Sequence, residues 1–218
     1  MSAFLGPIHH WLFNKIVLFE ELETTTVNHL TSIYGDDAKQ IGEAAEAHFG
    51  TYLPKLPLEN LIDTNNIHGW LQNRIQIAET RQAATLKNMI ERYGNEVVNH
   101  IQPLYISQGK STGLGVAQGD LPLNAPALHK ELNNYLLDGM PCDNVNSLTI
   151  TEAEHLEWQT TRCLHRPYWD QVGMDSSIMY QLRFSWINAF IENANPNYTY
   201  EAQLLEGQDG YLQKIYKK

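Results

Sequence analysis

Residues 8–16, IHHWLFNKI, return 59 positions later as residues 67–75, IHGWLQNRI. Self-similarity at one fixed offset is the signature of a structural repeat. The N-terminal half of the chain therefore contains an internal duplication, with copies over about residues 5–50 and 58–109. Further pairs in the same register are Glu20/Glu79, Tyr34/Tyr93, Gly35/Gly94 and Gly50/Gly109.

Each copy is predicted to form a helical hairpin. In the first copy, apolar residues such as Ile8, Leu12 and Phe19 recur at spacings typical of one helix face. Tyr34-Gly35 then ends the helix, since glycine readily takes the conformation needed just past a helix C-terminus. The two hairpins predict a duplicated four-helix bundle over residues 1–109, and the fold class is mainly α.

The remainder of the chain has a different pattern. Residues 109–126 are rich in Gly and Pro, which predicts a loop, and a short helix is expected from Ala127 to Asp138, so residues 110–144 form a linker. Residues 145–218 predict two strands, an amphipathic helix and a final hairpin with a turn at Gly207-Gln208-Asp209-Gly210. The sequence therefore predicts a small α+β unit of ββαββ order after the bundle.

Composition and charge exclude several classes of function. The chain of 218 residues has 15 basic and 25 acidic residues, for a net charge of −10. Nucleic-acid binding needs clustered Lys and Arg, which the sequence lacks. No apolar run approaches the roughly 20 residues that span a bilayer. With two cysteines and no export signal, we expect a cytoplasmic protein. The expected partner is a small-molecule ligand, with no nucleic acid and no membrane, and the sequence is compatible with a homodimer.

The repeat places charged residues on apolar helix faces. Lys15 falls within the apolar stripe of its helix, and Arg74 does the same in the second copy. A buried cation needs an anion nearby, and Glu20 and Glu79 are the natural partners across helices. In an up-down-up-down bundle the first and third helices would run parallel on a diagonal. The predicted ligand-binding residues are Lys15, Arg74, Glu20, Glu79, Trp11 and Trp70.

The same register would place His9 beside His68 in the interior. Two facing histidines suit a divalent metal ion or a haem, so these residues are the predicted metal ligands. The alternative is that the duplication preserved a packing solution. In that case Trp11 and Trp70 fill the core, and the cations of each copy form cross-helix salt bridges.

The C-terminal quarter offers a third candidate. Cys163 and His165 lie two residues apart on a predicted strand end, with Arg166 next to them, which would suit a nucleophilic cysteine. A buried, inert cysteine is the alternative, and the apolar surroundings of Leu164 and Pro167-Tyr168-Trp169 favour it.

The C-terminal quarter also resembles a known group. The pattern consists of Cys163, Trp169, Val172-Gly173, Trp186, Phe190, Tyr198-Thr199-Tyr200-Glu201-Ala202, Leu204-Leu205, Gly207-Gln208-Asp209-Gly210-Tyr211 and Ile215. It resembles the closing segment of L-2-amino-thiazoline-4-carboxylic acid hydrolase-like proteins and, less closely, small-molecule-binding domains of the vinyl-reductase type. The resemblance implies that Cys163 lines a ligand cavity. The final-hairpin cysteine of that group is replaced here by Tyr211 and its neighbours.

We therefore expect a small-molecule-binding protein whose ligand, a small organic carboxylate, lies between the helical repeat and the C-terminal unit. The alternatives are a metal- or haem-binding bundle using His9 and His68, and a hydrolase of an amide-like or thiazoline-like substrate using Cys163 and His165. A structural or partner-binding module is the remaining alternative.

Overall fold

The computed structural model of the chain describes residues 4–119, 123–205 and 210–218. The helices are α1 (Pro7–Tyr34), α2 (Asp36–Phe49), α3 (Ile67–Tyr93), α4 (Glu96–Ala117), α5 (Ala125–Tyr135), α6 (Arg166–Val172) and α7 (Ser176–Ala194). The strands are β1 (Asn146–Thr151), β2 (His155–Thr160), β3 (Tyr198–Leu204) and β4 (Tyr211–Lys217). The prediction of a helical bundle followed by a small α+β unit is confirmed.

The chain forms two compact units, each built from three segments. The helical unit consists of Met1–Ile101, Leu137–Met140 and His165–Ser176, and the sheet unit consists of Gln102–Leu136, Pro141–Leu164 and Ser177–Lys218. The chain thus returns twice to the helical unit after leaving it. Short segments far apart in the chain therefore join each unit through long-range packing, which local sequence patterns do not encode.

In the helical unit, α1 and α3 are parallel and pack directly against each other. At their N-terminal ends, Nε2 of His9 and Nε2 of His68 lie 3.4 Å apart. At their C-terminal ends, the rings of Tyr34 and Tyr93 are stacked with centroids 3.9 Å apart. The predicted parallel direction is present, but the predicted diagonal placement is wrong, because a diagonal pair would be too far apart for these contacts.

The duplication is visible in the contacts as well as in the sequence. The Tyr34 hydroxyl donates to Glu96, and the equivalent Tyr93 hydroxyl donates to Asp37. Both the tyrosines and the acidic residues are 59 positions apart. The two copies are therefore related by an approximate twofold axis that runs between α1 and α3.

The apolar core of the helical unit lies along the facing sides of these helices. Leu12, Ile16, Leu71 and Ile75 are at most 1% exposed. Ile8, which the sequence places on the core face, is instead 51% exposed. It lies in the first turn of α1, where the helix extends beyond the layer that covers it.

Helix α4 corrects the prediction of a loop from residue 109, since it continues to Ala117. A Cβ atom on Gly109 would lie 2.3 Å from the carbonyl oxygen of Trp186, and one on Gly113 would lie 2.3 Å from that of Phe190. The two glycines therefore let α4 and α7 approach with backbones in contact. Glycine here permits close helix packing rather than a turn.

In the sheet unit, the four antiparallel strands follow the order β1-β2-β4-β3. Helix α5 packs against β2 and β4. The predicted final hairpin is present as β3 and β4, while residues 207–209 of its predicted turn lie outside the described residues. Trp158 of β2 and Tyr200 of β3 contribute buried aromatic side chains to the core of this unit. Among the described residues, no helix combines the length and hydropathy needed to cross a membrane.

Candidate functional site

Four charged side chains of α1 and α3 form a buried cluster in the helical unit, which we call the polar core: Glu20, Glu23, Arg74 and Arg81. Arg81 is fully buried, and Glu23 and Glu20 are 1% and 5% exposed. Charged groups are rarely buried to this degree unless they are paired. The contacts within the cluster supply that pairing.

Glu20 joins the two arginines. Its Oε1 accepts hydrogen bonds from Nη2 of Arg74 at 3.0 Å and from Nη2 of Arg81 at 2.9 Å. Its Oε2 accepts from the backbone N–H of Leu53 at 2.7 Å. Both oxygens of this carboxylate are therefore used, and pairing is across helices as the spacing predicts.

Glu23 has one principal partner, the guanidinium of Arg81. Nε of Arg81 donates to Oε1 of Glu23 at 3.0 Å, and Nη2 donates to Oε2 at 2.8 Å. This is the two-point geometry in which a guanidinium matches a carboxylate best.

The segment of residues 50–53, which we call the strap, covers the polar core. Arg81 donates to the carbonyl oxygen of Gly50, and Arg74 donates to that of Thr51. The Tyr52 ring lies against the Arg81 guanidinium, with 3.8 Å between Cζ and the ring centroid. The strap is therefore attached to the helices chiefly by side chains of the polar core.

Burial shifts the pKa of the acidic groups and of the arginine in this cluster in opposite directions, and the neighbouring charges add to or oppose each shift. Burial raises the pKa of Glu23 to about 7, although the hydrogen bonds and charge of Arg81 oppose the shift. Burial also raises the pKa of Tyr52, and the neighbouring charge of Glu23 adds to that effect. Burial lowers the pKa of Arg81, but its bonds to Glu23 and Glu20 outweigh it and leave a net rise. Arg81 stays charged, whereas Glu23 changes its charge near neutral pH.

Several buried polar atoms around the polar core have no hydrogen-bond partner among the described residues. They are Nε of Arg74, Nε2 of Gln82, and the hydroxyl oxygens of Thr26, Thr80 and Thr85. Arg74, Arg81 and Thr85 are spaced by seven and four residues, so they share one face of α3, and Gln82 is three residues before Thr85. Thr85 therefore lies one turn beyond Arg81 and about 16 Å along the helix from Arg74, whose own Nε is unpaired.

The other predicted ligand-binding residues lie elsewhere in the helical unit. The Lys15 ammonium is 3.4 Å from the centroid of the Trp11 ring, and the residue is 4% exposed. Such a contact stabilises a buried cation through the ring face. Trp70 is partly buried and packs near Phe13. The two tryptophans thus line the apolar core rather than the polar core.

Glu79 and His165, predicted for different sites, are brought together. Nδ1 of His165 lies 2.7 Å from the Glu79 carboxylate, and Nε2 lies 3.3 Å from Asp138. The ring stacks on Trp169 with 5.3 Å between centroids. His165 is therefore a buried imidazole between two carboxylates, and its ring nitrogens face those carboxylates.

Cys163 belongs to the sheet unit. It is 4% exposed, and its Sγ accepts a hydrogen bond from the Tyr180 hydroxyl at 2.8 Å. Burial raises the pKa of Tyr180, and its bond to Cys163 adds to the shift, so Tyr180 remains a donor at neutral pH. The sulfur of Cys163 is therefore poorly accessible for nucleophilic attack.

The predicted metal ligands lie at the protein surface and not in the interior. His68 is exposed, and Nδ1 of His9 accepts a hydrogen bond from the Gly6 N–H. A neutral His9 then carries its hydrogen on Nε2, the atom that faces His68. Within the described ranges, no group of three or more His, Cys, Asp or Glu side chains is arranged to hold a metal ion.

Sequence reasoning missed Glu23, Arg81 and the strap. Arg81 aligns with Leu22 in the repeat, and Glu23 aligns with Gln82, so neither is a repeated residue. One signal was present, because Arg81 is seven residues after Arg74 and so shares its helix face.

Comparison with protein families, curated proteins and solved structures gives no match for this chain. The resemblance of the C-terminal quarter to thiazoline-carboxylic acid hydrolase-like proteins stays a prediction.

Proposed function

We propose that the helical unit binds a small carboxylate-bearing molecule at the polar core. The observation that supports it most directly is the unpaired, buried Nε of Arg74, a guanidinium donor within the polar core. Leaving a buried donor or acceptor unpaired costs about 1–3 kcal/mol. This donor therefore favours an additional acceptor beside Arg74.

The chemistry of the unpaired atoms favours an acceptor-rich partner. Nε of Arg74 and Nε2 of Gln82 can only donate, and the Thr85 hydroxyl can donate as well. A carboxylate presents two acceptor oxygens and fits a guanidinium edge, and the Nε–H of Arg74 is unpaired while its Nη2 donates to Glu20 and Thr51. A cationic ligand would find no free acceptor beside Arg74, because the unpaired atom there is a donor.

Access to the polar core requires the strap to move. The unpaired atoms are buried, and the strap is attached through Arg74, Arg81 and Glu20. A ligand carboxylate would compete with the Thr51 carbonyl oxygen for Arg74, so binding and strap displacement are expected to occur together.

Thermal unfolding with matched ligand pairs tests the proposal. Acetate is compared with acetamide, and benzoate with benzamide, because each pair has the same shape and differs in charge. A carboxylate at a hundred times its Kd stabilises the folded protein by about 2.7 kcal/mol. The neutral amides should give no shift, and calorimetric titration should then measure Kd for the carboxylate that binds.

The variant Arg74→Met separates a binding role from a structural one. Arg92→Met is the matched control, since Arg92 forms an exposed ion pair with Asp37 outside the polar core. For a binding role, Arg74→Met abolishes carboxylate binding while the control retains it. If no carboxylate binds the native protein and Arg74→Met only lowers its stability, the polar core is purely structural and the proposal is wrong.

A further inference from the structure

Two carboxylates of the polar core share one guanidinium nitrogen. Nη2 of Arg81 donates to Glu20 at 2.9 Å and to Glu23 at 2.8 Å, so the accepting oxygens are within about 6 Å of each other. At that distance in a buried site, each negative charge disfavours the other. The pair tolerates both charges because Arg81 lies between them.

The charges of the polar core are balanced without a ligand. Arg74 and Arg81 carry two positive charges, and Glu20 and Glu23, when ionised, carry two negative charges. An anionic ligand adds a third negative charge in a region shielded from water, where an unbalanced charge is costly.

Protonation of Glu23 is the change best placed to remove this excess negative charge. Glu23 faces Arg81 from α3, Glu20 from α1 and Tyr52 from the strap, and Glu46 of α2 acts on Tyr52 from beyond it. Glu20 joins both arginines and the backbone N–H of Leu53, whereas the guanidinium partner of Glu23 is Arg81 alone.

We infer that the polar core binds its carboxylate ligand together with one proton, which is held by Glu23. This inference rests on the proposed function, and it makes the site a proton-coupled one. Burial, which raises the pKa of Glu23 to about 7, supports it, because protonation then costs little at physiological pH.

Calorimetric titration in buffers of different ionisation enthalpy tests the inference on the native protein. The probe is whichever of acetate and benzoate shifts the thermal unfolding. If only protonated Glu23 admits the ligand, uptake should be about half a proton per ligand at pH 7 and nearly one at pH 8. The Kd should rise about tenfold between pH 6 and pH 8.

The variant Glu23→Gln should bind the same probe with no proton uptake and with a Kd that does not vary over this pH range. Glu21→Gln, an exposed neighbour on α1, is the matched control and should behave as the native protein does. Binding without proton uptake in the native protein overturns the inference but leaves the proposed function standing. No binding of either probe overturns both.

Discussion

Arg81→Met is the substitution to which the helical unit should respond most strongly. The guanidinium is fully buried and donates to Glu23, to Glu20 and to the Gly50 carbonyl oxygen. Methionine keeps most of the volume but supplies none of these donors. Removing one partner of a buried ion pair costs about 3–5 kcal/mol, because the stranded charge remains buried.

The cost should depend on pH in a defined direction. Above pH 7 Glu23 is ionised in the native protein, so in Arg81→Met it must either stay charged and buried without its guanidinium partner or take up a proton. At lower pH Glu23 takes a proton, and the cost falls by about 1.4 kcal/mol for each unit by which Arg81 had held its pKa down. The loss of stability should therefore be larger at pH 8 than at pH 5.5.

Urea unfolding followed by tryptophan fluorescence measures this loss, since the chain has 5 tryptophans. The double variant Arg81→Met/Glu23→Met should recover much of it, because an apolar pair replaces a broken ionic one. Arg92→Met should have little effect on stability, as its pair is exposed and screened by solvent. A loss for Arg81→Met as small as that of Arg92→Met would refute the assignment of a tightly coupled buried cluster.

Three further predictions follow from other contacts. Between about pH 4.5 and 7 the folded state holds a proton on Glu23 that the unfolded state has lost. The free energy of unfolding should therefore fall with rising pH in the native protein relative to Glu23→Gln, by about 3 kcal/mol over this range. If the two proteins show the same pH dependence, the raised pKa of Glu23 is contradicted. Gly109→Ala should destabilise the protein by about 1–3 kcal/mol, because the new Cβ would meet the carbonyl oxygen of Trp186. Gly115→Ala in the same helix has open space around its Cβ and should be neutral or stabilising. Equal Tm values for the two variants would exclude close packing of α4 and α7. Iodoacetamide should modify exposed Cys142 in the native protein and leave Cys163 unmodified until unfolding, as mass spectrometry of tryptic peptides would show; rapid alkylation of Cys163 below pH 7 would instead favour the hydrolase alternative.

Most of what the sequence could predict came from the internal repeat. Residues 59 positions apart occupy equivalent places, and the burial of both Glu20 and Glu79 agrees with that register. The diagonal placement of α1 and α3 was wrong because an internal repeat fixes equivalence but not which helices are neighbours. That choice depends on how the faces pack in three dimensions.

The remaining errors have local physical causes. Gly109 was interpreted as a loop residue, yet a glycine in a helix also serves close helix packing, and the spacing of Gly109 and Gly113 was the available signal. The strap has no periodic pattern, and its place depends on backbone groups that bind Arg74 and Arg81. No rule based on local sequence could have found those bonds.

The polar core lies where the two copies of the repeat differ. Glu20 and Glu79 are equivalent, but Glu20 binds two guanidinium groups under the strap, whereas Glu79 binds the imidazole of His165. Leu22 in the first copy corresponds to Arg81 in the second, so the guanidinium that joins Glu20 to Glu23 exists once. Duplication accounts for a parallel helix pair with a carboxylate at the same level in each half. Divergence at two positions, Arg81 against Leu22 and Glu23 against Gln82, makes the charged cluster with its unpaired Arg74 donor specific to one half of the repeat.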